Sequence, residues 1–339
     1  MIVLTRDGLR KVVIYTLIIN KPLKNMKTID IIRVYIVTFF TFLGTSYKGI
    51  GQQDSQYTQY MYNTQTVNPA YAGNRGRLSF NTLYRSQWVG LDGAPKVLTF
   101  SVNSPIKERV GAGLSFYNDE IGPSVETNVS ADFSYTIPLD DKELFLSFGV
   151  KGGFNVLNVD FNKLNPDPNQ IINPNDFNID NRVFPIIGSG IYLTSKEKWY
   201  AGISIPNFLQ TKHYDDLTVS SAKEKMNFYL IAGYVFNLDS NIKFKPATLL
   251  KAVSGAPLVI DVSTNFLFYN SLSLGLAYRW DASLSGLAGF MISKDLMIGY
   301  AYDWDLNGIQ KYTSGSHELF LRFEIWRSKR IGYRSSRFF

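Results

Sequence analysis

The chain has 339 residues, 45% of them hydrophobic and 19% charged, with a formal net charge of +7. The body holds no apolar run of about 18 residues, which excludes a helical membrane protein. The absence of cysteine excludes a disulfide framework, a thiolate metal site and an acylated N-terminal cysteine. Aromatic residues reach 15%, mainly 21 Tyr and 24 Phe, beside 26 Gly. Many aromatics and glycines without long apolar runs suit alternating strands better than packed helices. Part of the basic excess sits in Arg327, Lys329, Arg330, Arg334 and Arg337, which read as a solvated tail; no nucleic-acid motif accompanies them.

In chain order, residues 1–25 read as an upstream extension from a mis-called start, with initiation at Met26. Residues 26–51 read as a cleaved signal peptide. A basic stretch ends at Arg33, an apolar run of about ten residues covers Val34 to Leu43, and small polar residues follow through Ser46. Residues 52–76 form a segment expected in the periplasm or in a barrel lumen. Its Asn68-Pro69-Ala70-Tyr71-Ala72-Gly73 reads as a rigid turn that is a plug, a docking segment, or simply the launch of the first strand.

From residue 77 to 327 hydrophobicity alternates with period two. Val129, Ala131, Phe133, Tyr135 and Ile137 share one face, while Asn128, Ser130, Asp132, Ser134 and Thr136 share the other. About fourteen strands are predicted, near 77–87, 96–104, 109–118, 125–138, 142–158, 182–194, 197–205, 226–238, 241–251, 256–268, 271–280, 284–293, 295–305 and 315–327. Tight polar turns such as Asp140-Asp141-Lys142 alternate with longer connectors, notably 160–181 and 206–225. That asymmetry predicts a transmembrane antiparallel up-and-down β-barrel with both termini periplasmic. The apolar faces would meet outer-membrane lipid, and Asp132, Lys151, Asp261, Arg279, Asp303 and Arg322 would face the interior. Trp88, Trp199, Tyr200, Tyr300, Tyr302 and Trp304 are candidates for the aromatic girdles. Residues 328–339 are a basic tail ending in Phe339.

The chain is poor in catalytic chemistry. His213, beside Asp215 and Asp216, lacks converging ligands for a metal. His317 follows Ser316 directly in an extended strand, so the two side chains point to opposite faces and form no catalytic pair. Gly149 and Gly152-Gly153 lie within a strand and read as small residues easing curvature, not as a phosphate cradle. No cofactor is expected.

Particular residues carry a resemblance. Gln56-Tyr57-Thr58-Gln59-Tyr60-Met61-Tyr62-Asn63 precedes Val67-Asn68-Pro69-Ala70-Tyr71-Ala72-Gly73, then Arg85-Ser86-Gln87-Trp88-Val89-Gly90 and Asp92-Gly93-Ala94-Pro95. Lys243-Phe244-Lys245-Pro246, Gly315-Ser316-His317-Glu318 and the terminal Ser336-Arg337-Phe338-Phe339 belong to the same set. In this order they resemble the PorP/SprF family of the type IX secretion system of Bacteroidetes. The resemblance implies an outer-membrane barrel that helps export or hold a secreted cargo, such as a large surface adhesin, in secretion or gliding. It also implies a periplasmic peptidoglycan-binding partner for some members. It transfers no catalytic residue, and its motif positions are candidate partner contacts. Arg85, Gln87 and Trp88 at the first strand's outer end read either as interface anchors or as a girdle Trp with an Arg satisfied in the lumen. A passive channel for hydrophobic solutes is the alternative function, and a lipid hydrolase using His317 a third.

Overall fold

The computed structural model describes residues 57–139, 143–164, 178–195, 198–209 and 225–325. The expected extension, signal peptide, His213 loop and basic tail with Phe339 lie outside these residues. Fourteen antiparallel strands follow one another in the order of the sequence. They are β1 (Leu78–Ser86), β2 (Lys96–Lys107), β3 (Val110–Ile121), β4 (Ser124–Pro138), β5 (Leu144–Val159), β6 (Ile179–Ser195) and β7 (Trp199–Ile205). Then come β8 (Asn227–Tyr234, resuming at Phe236–Asn237), β9 (Ile242–Val253), β10 (Val259–Phe268), β11 (Leu272–Arg279), β12 (Ser283–Met291), β13 (Leu296–Asp305) and β14 (Ser316–Ile325). Each strand pairs with its sequence neighbours, and β14 pairs with β1 from Leu78 opposite Ile325 to Ser86 opposite His317. The sheet therefore closes on itself. The predicted strand number and closure hold.

Closure leaves two unlike faces. Outward residues are large and apolar, among them Phe133, Phe148, Val150 and Leu276, the last two 57% and 61% exposed. Inward residues are polar and buried, including Asn81, Asn103, Asp132, Lys151, Asp261 and Arg322. A water-soluble protein buries the opposite sets, whereas a strand between lipid and a polar lumen requires this one. Tyr300, Tyr302 and Trp304 face outward, as girdle residues do. Tyr200 corrects the girdle assignment. It points inward, is 4% exposed and stacks on Tyr192 at 5.8 Å, because its partner face is an aromatic cluster inside the barrel.

The connectors also need correction. One rim carries the short turns, such as the one where Tyr269 and Asn270 both adopt positive φ. The other carries the residue 87–95, 160–178, 206–226 and 306–315 connectors, yet two of its connections are short as well. Gly122-Pro123 alone joins β3 to β4, and residues 280–282 join β11 to β12. The acidic Asp119-Glu120 pair falls between the predicted strands 109–118 and 125–138. It is strand because Asp119 turns into the lumen and accepts a hydrogen bond from the Tyr117 hydroxyl at 2.8 Å. Gly122, at φ +56°, makes the tight reversal. Elsewhere the β8–β9 ladder lapses between the Gly233–Ala247 and Phe236–Phe244 pairs, where Pro246 has no N–H to donate. Val235 donates instead to the Lys198 carbonyl.

Placing a cation on the lipid face tests the orientation of the sheet. Val150→Arg should lower unfolding stability in lipid vesicles by about 2–4 kcal/mol, the cost of a cation near the bilayer midplane. Equilibrium denaturant titration checks it, and a neutral outcome would mean that this face does not contact hydrocarbon.

Candidate functional site

The lumen is not an open pore. Residues 57–76, a polar and tyrosine-rich stretch without period-two alternation, run down its length in three short 3-10 turns, Tyr60–Tyr62, Thr64–Thr66 and Pro69–Tyr71. At the upper end, near the rim of longer loops, Glu318 accepts the backbone N–H groups of Thr58 (3.0 Å) and Gln59 (2.8 Å). The Thr58 hydroxyl donates to Asp303 at 2.8 Å, and Arg85 Nη1 reaches Asp303 at 2.7 Å and Glu318 at 3.1 Å. Asp303 and Glu318 lie on the consecutive strands β13 and β14, and the closing β14–β1 seam brings the distant Arg85 to them.

Midway, the Gln65 side chain donates to Asp132 (2.9 Å) and accepts from Asn103 (2.9 Å), and Ser204 donates to the Val67 carbonyl at 2.6 Å. Asn68 is a true cap. Its Oδ1 accepts the Ala70 N–H at 3.0 Å, Pro69 supplies the fixed φ that starts the turn, and its Nδ2 donates across to the Ile191 carbonyl at 3.1 Å. Tyr71 meets Tyr192 edge-on at 5.5 Å, and Tyr62 stacks on Phe320 at 5.0 Å. Burial pushes the Tyr60 and Tyr62 phenols above their ordinary range, so both remain neutral. At the lower end Arg75 and Arg77 both hold Glu324 of β14, the latter at 2.9 Å.

The barrel wall is shaped to this segment. A Cβ at Gly149 would stand 2.1 Å from the Ala70 nitrogen, one at Gly111 2.1 Å from the Ala72 carbonyl oxygen, and one at Gly190 2.2 Å from the Asn68 side chain. Gly149 is thus clearance for the plug. Gly152, three residues on and therefore on the outer face, has open space around it.

The remaining motif residues gather at the upper rim. Gln87 N–H donates to the Pro95 carbonyl at 2.9 Å, Trp88 N–H to Ser316 Oγ at 3.2 Å, and Gly122 N–H to the Gly93 carbonyl at 2.9 Å. Gly73, Gly93 and Gly315 adopt positive φ, which explains glycine at each. His317 lies on the outer face beside Tyr300, 2.6 Å from its hydroxyl, and away from Glu318, which points inward. No cluster of three or more metal-ligating acids, histidines or cysteines occurs among the described residues. Sequence reasoning missed Thr58, Gln59, Gln65 and Arg75 as lumen contacts. The available signal was a polar, glutamine- and tyrosine-rich stretch that fits neither a strand nor a helix.

Above Tyr57 and Tyr60 the lumen widens into a vestibule of about 330 Å³, bordered by Asp119, Glu126, Asn155, Lys251 and Arg279 and reaching the ends of β3, β4 and β7 at the loop rim. Fold and site together define a transmembrane barrel of outer-membrane type, with a segment of its own chain inside the lumen. Residues 50–323 match the family model described as type IX secretion system membrane protein PorP/SprF, and the chain belongs to that family.

No curated relative matches the chain. Solved barrels similar to it include Omp33 of Acinetobacter baumannii (10% identity, TM-score 0.42, 74% of this chain and 100% of that one). The CymD monoaromatic hydrocarbon channel shows 12% identity and a TM-score of 0.46 over 83% of this chain and 96% of that one. The Ralstonia pickettii toluene transporter TbuX shows 9% identity and a TM-score of 0.44 over 84% and 98%.

Substitutions on two parts of the wall probe the site. Gly149→Val should unseat the Asn68–Tyr71 turn, raising hydrogen exchange of residues 60–76 while the barrel still folds; Gly152→Ala should leave exchange unchanged. Arg85→Met strands two buried carboxylates and should cost about 3–5 kcal/mol. Restoring part of that loss by adding Asp303→Asn and Glu318→Gln in a denaturant series would identify charge, not packing, as the cause.

Proposed function

We propose that this type IX secretion barrel binds and anchors a secreted surface protein, an adhesin-like cargo, during export and attachment, and that it performs no catalysis. The supporting observation is the lumen itself. A segment of the same chain occupies it from Thr58 to Arg77 through polar contacts that include β4, β7, β13 and β14. A barrel closed in this way suits a receptor better than a conduit. The rim motif residues Gln87, Trp88, Gly93, Pro95 and Gly315 lie together on one side of the mouth, beside the β14–β1 seam, and we assign them to partner contact, with Asn68–Gly73, Arg85 and Glu318 holding the segment beneath them. His317 sits outside the lumen, which suits an interfacial residue more than a hydrolase base.

The rim of short turns, where β1 begins and β14 ends, is assigned to the periplasm, where a peptidoglycan-binding protein would meet it. With a long adhesin as cargo, the same tether would serve gliding.

Solubilisation of native membranes in mild detergent should co-purify a large secreted protein, and recovery of the barrel alone would overturn the reading. In planar bilayers the native protein should conduct little, and Gly149→Val should conduct more. Large steady conductance of the native protein, with secretion unchanged on deletion, would favour the passive channel instead.

A further inference from the structure

We propose, on the receptor reading above, that the plug is threaded with its N-terminal end outward, so that the residues leading into Tyr57 belong to the surface that meets the cargo. The start of β1 and the N-terminal end of the plug then lie at opposite mouths of the barrel.

One strand gives the direction. β14 descends from the rim of longer loops to the rim of short turns, and its buried inward side chains, at every second position, meet the plug in order. Glu318 accepts from the backbone of Thr58 and Gln59, and Phe320 stacks on Tyr62 at 5.0 Å. The Arg322 guanidinium lies 5.8 Å from the Tyr62 ring centroid, and Glu324 holds Arg75 and Arg77. The plug and β14 therefore run the same way. On another wall Tyr57 meets Tyr117 edge-on at 6.4 Å, towards the loop-rim end of β3.

Chain length limits what can precede Tyr57. Ser55 is within about 7 Å of it, since a chain spans at most roughly 3.5 Å per residue. Glu318 and Glu324 are separated by about 20 Å of strand, at roughly 3.4 Å per residue. The residues just before Tyr57 therefore cannot span to the short-turn rim.

Two observations join this end to the partner surface. The strands that tether it also carry the rim motif: Arg85 and Glu318 meet at the tether, and a few residues along the same strands the Trp88 N–H donates to Ser316 Oγ at 3.2 Å. The leading residues also have the chemistry of a polypeptide contact. Gln52, Gln53, Ser55 and Gln56 both give and take hydrogen bonds, and Asp54 is the single charge among them. Such a stretch suits the backbone and amides of another protein better than a highly charged polymer.

The chain has no cysteine, so single cysteines in the full-length protein can be labelled on intact cells with a polyethylene glycol maleimide too large to cross the outer membrane. Ser55→Cys reports on the N-terminal end of the plug. Lys163→Cys, exposed in the β5–β6 connector, marks the loop rim, and Lys294→Cys, exposed between β12 and β13, marks the other. Ser55→Cys and Lys163→Cys should label on intact cells, and Lys294→Cys only after permeabilisation. Labelling of Ser55→Cys only after permeabilisation, or in neither state, would overturn the threading. The reverse pattern at Lys163→Cys and Lys294→Cys would invert the barrel and overturn it too. Labelled Ser55→Cys should lose its cargo on co-purification, whereas the unlabelled variant and labelled Lys163→Cys should keep it; equal recovery would overturn the contact. Failure of the receptor reading looks different: cargo would be missing from every variant, unlabelled ones included, which sinks the contact and leaves the labelling pattern to decide the threading.

Discussion

In hydrocarbon a backbone N–H or C=O without a partner costs several kcal/mol, and a sheet edge presents a whole row of them. The pairing of β14 with β1 removes that edge. Once the sheet is closed, its outer face has to be apolar and its inner face is released from lipid, free to carry Asp132, Lys151, Asp261 and Arg322. The barrel is then an inverted globule, whose polar groups need partners within rather than water without. The N-terminal segment supplies many of those partners, and it does so with amide and hydroxyl side chains that both give and take hydrogen bonds.

The plug and the wall are fitted to each other by two different means. Charged and amide groups set the height of the segment, through Glu318 at one end and Glu324 at the other. Glycines set how closely the segment may approach, since Gly111, Gly149 and Gly190 each leave the space that a side chain would take. Removing two charges from water is costly unless geometry and further hydrogen bonds offset it. Glu318 meets that condition with two backbone donors and a guanidinium.

Much of the fold was legible because a strand between lipid and a polar lumen writes its environment at every second residue. Phe133 and Asp132 could be assigned to opposite sides without any knowledge of their neighbours. Asp119 was not legible, since an acidic residue in a lumen and one in a loop look alike in sequence. Tyr200 was misread for a related reason: an aromatic near a strand end is the same letter whether it meets lipid headgroups or another tyrosine. Of the site, the Asn68–Gly73 turn could be read as rigid, but its wall partners were not, because contacts between Gln65 and Asp132 or Arg85 and Glu318 depend on closure across long stretches of chain. Gly149 was read as easing curvature, and only the position of Ala70 shows that it clears the plug.

The Arg75 and Arg77 bonds to Glu324 join the lead-in of the first strand to the final strand. Those two elements are synthesised at opposite ends of the barrel sequence and are the ones that meet when the cylinder seals. The guanidinium clasp therefore serves two junctions at once: the residues that fix the lower end of the N-terminal segment also bridge the place where the sheet meets itself.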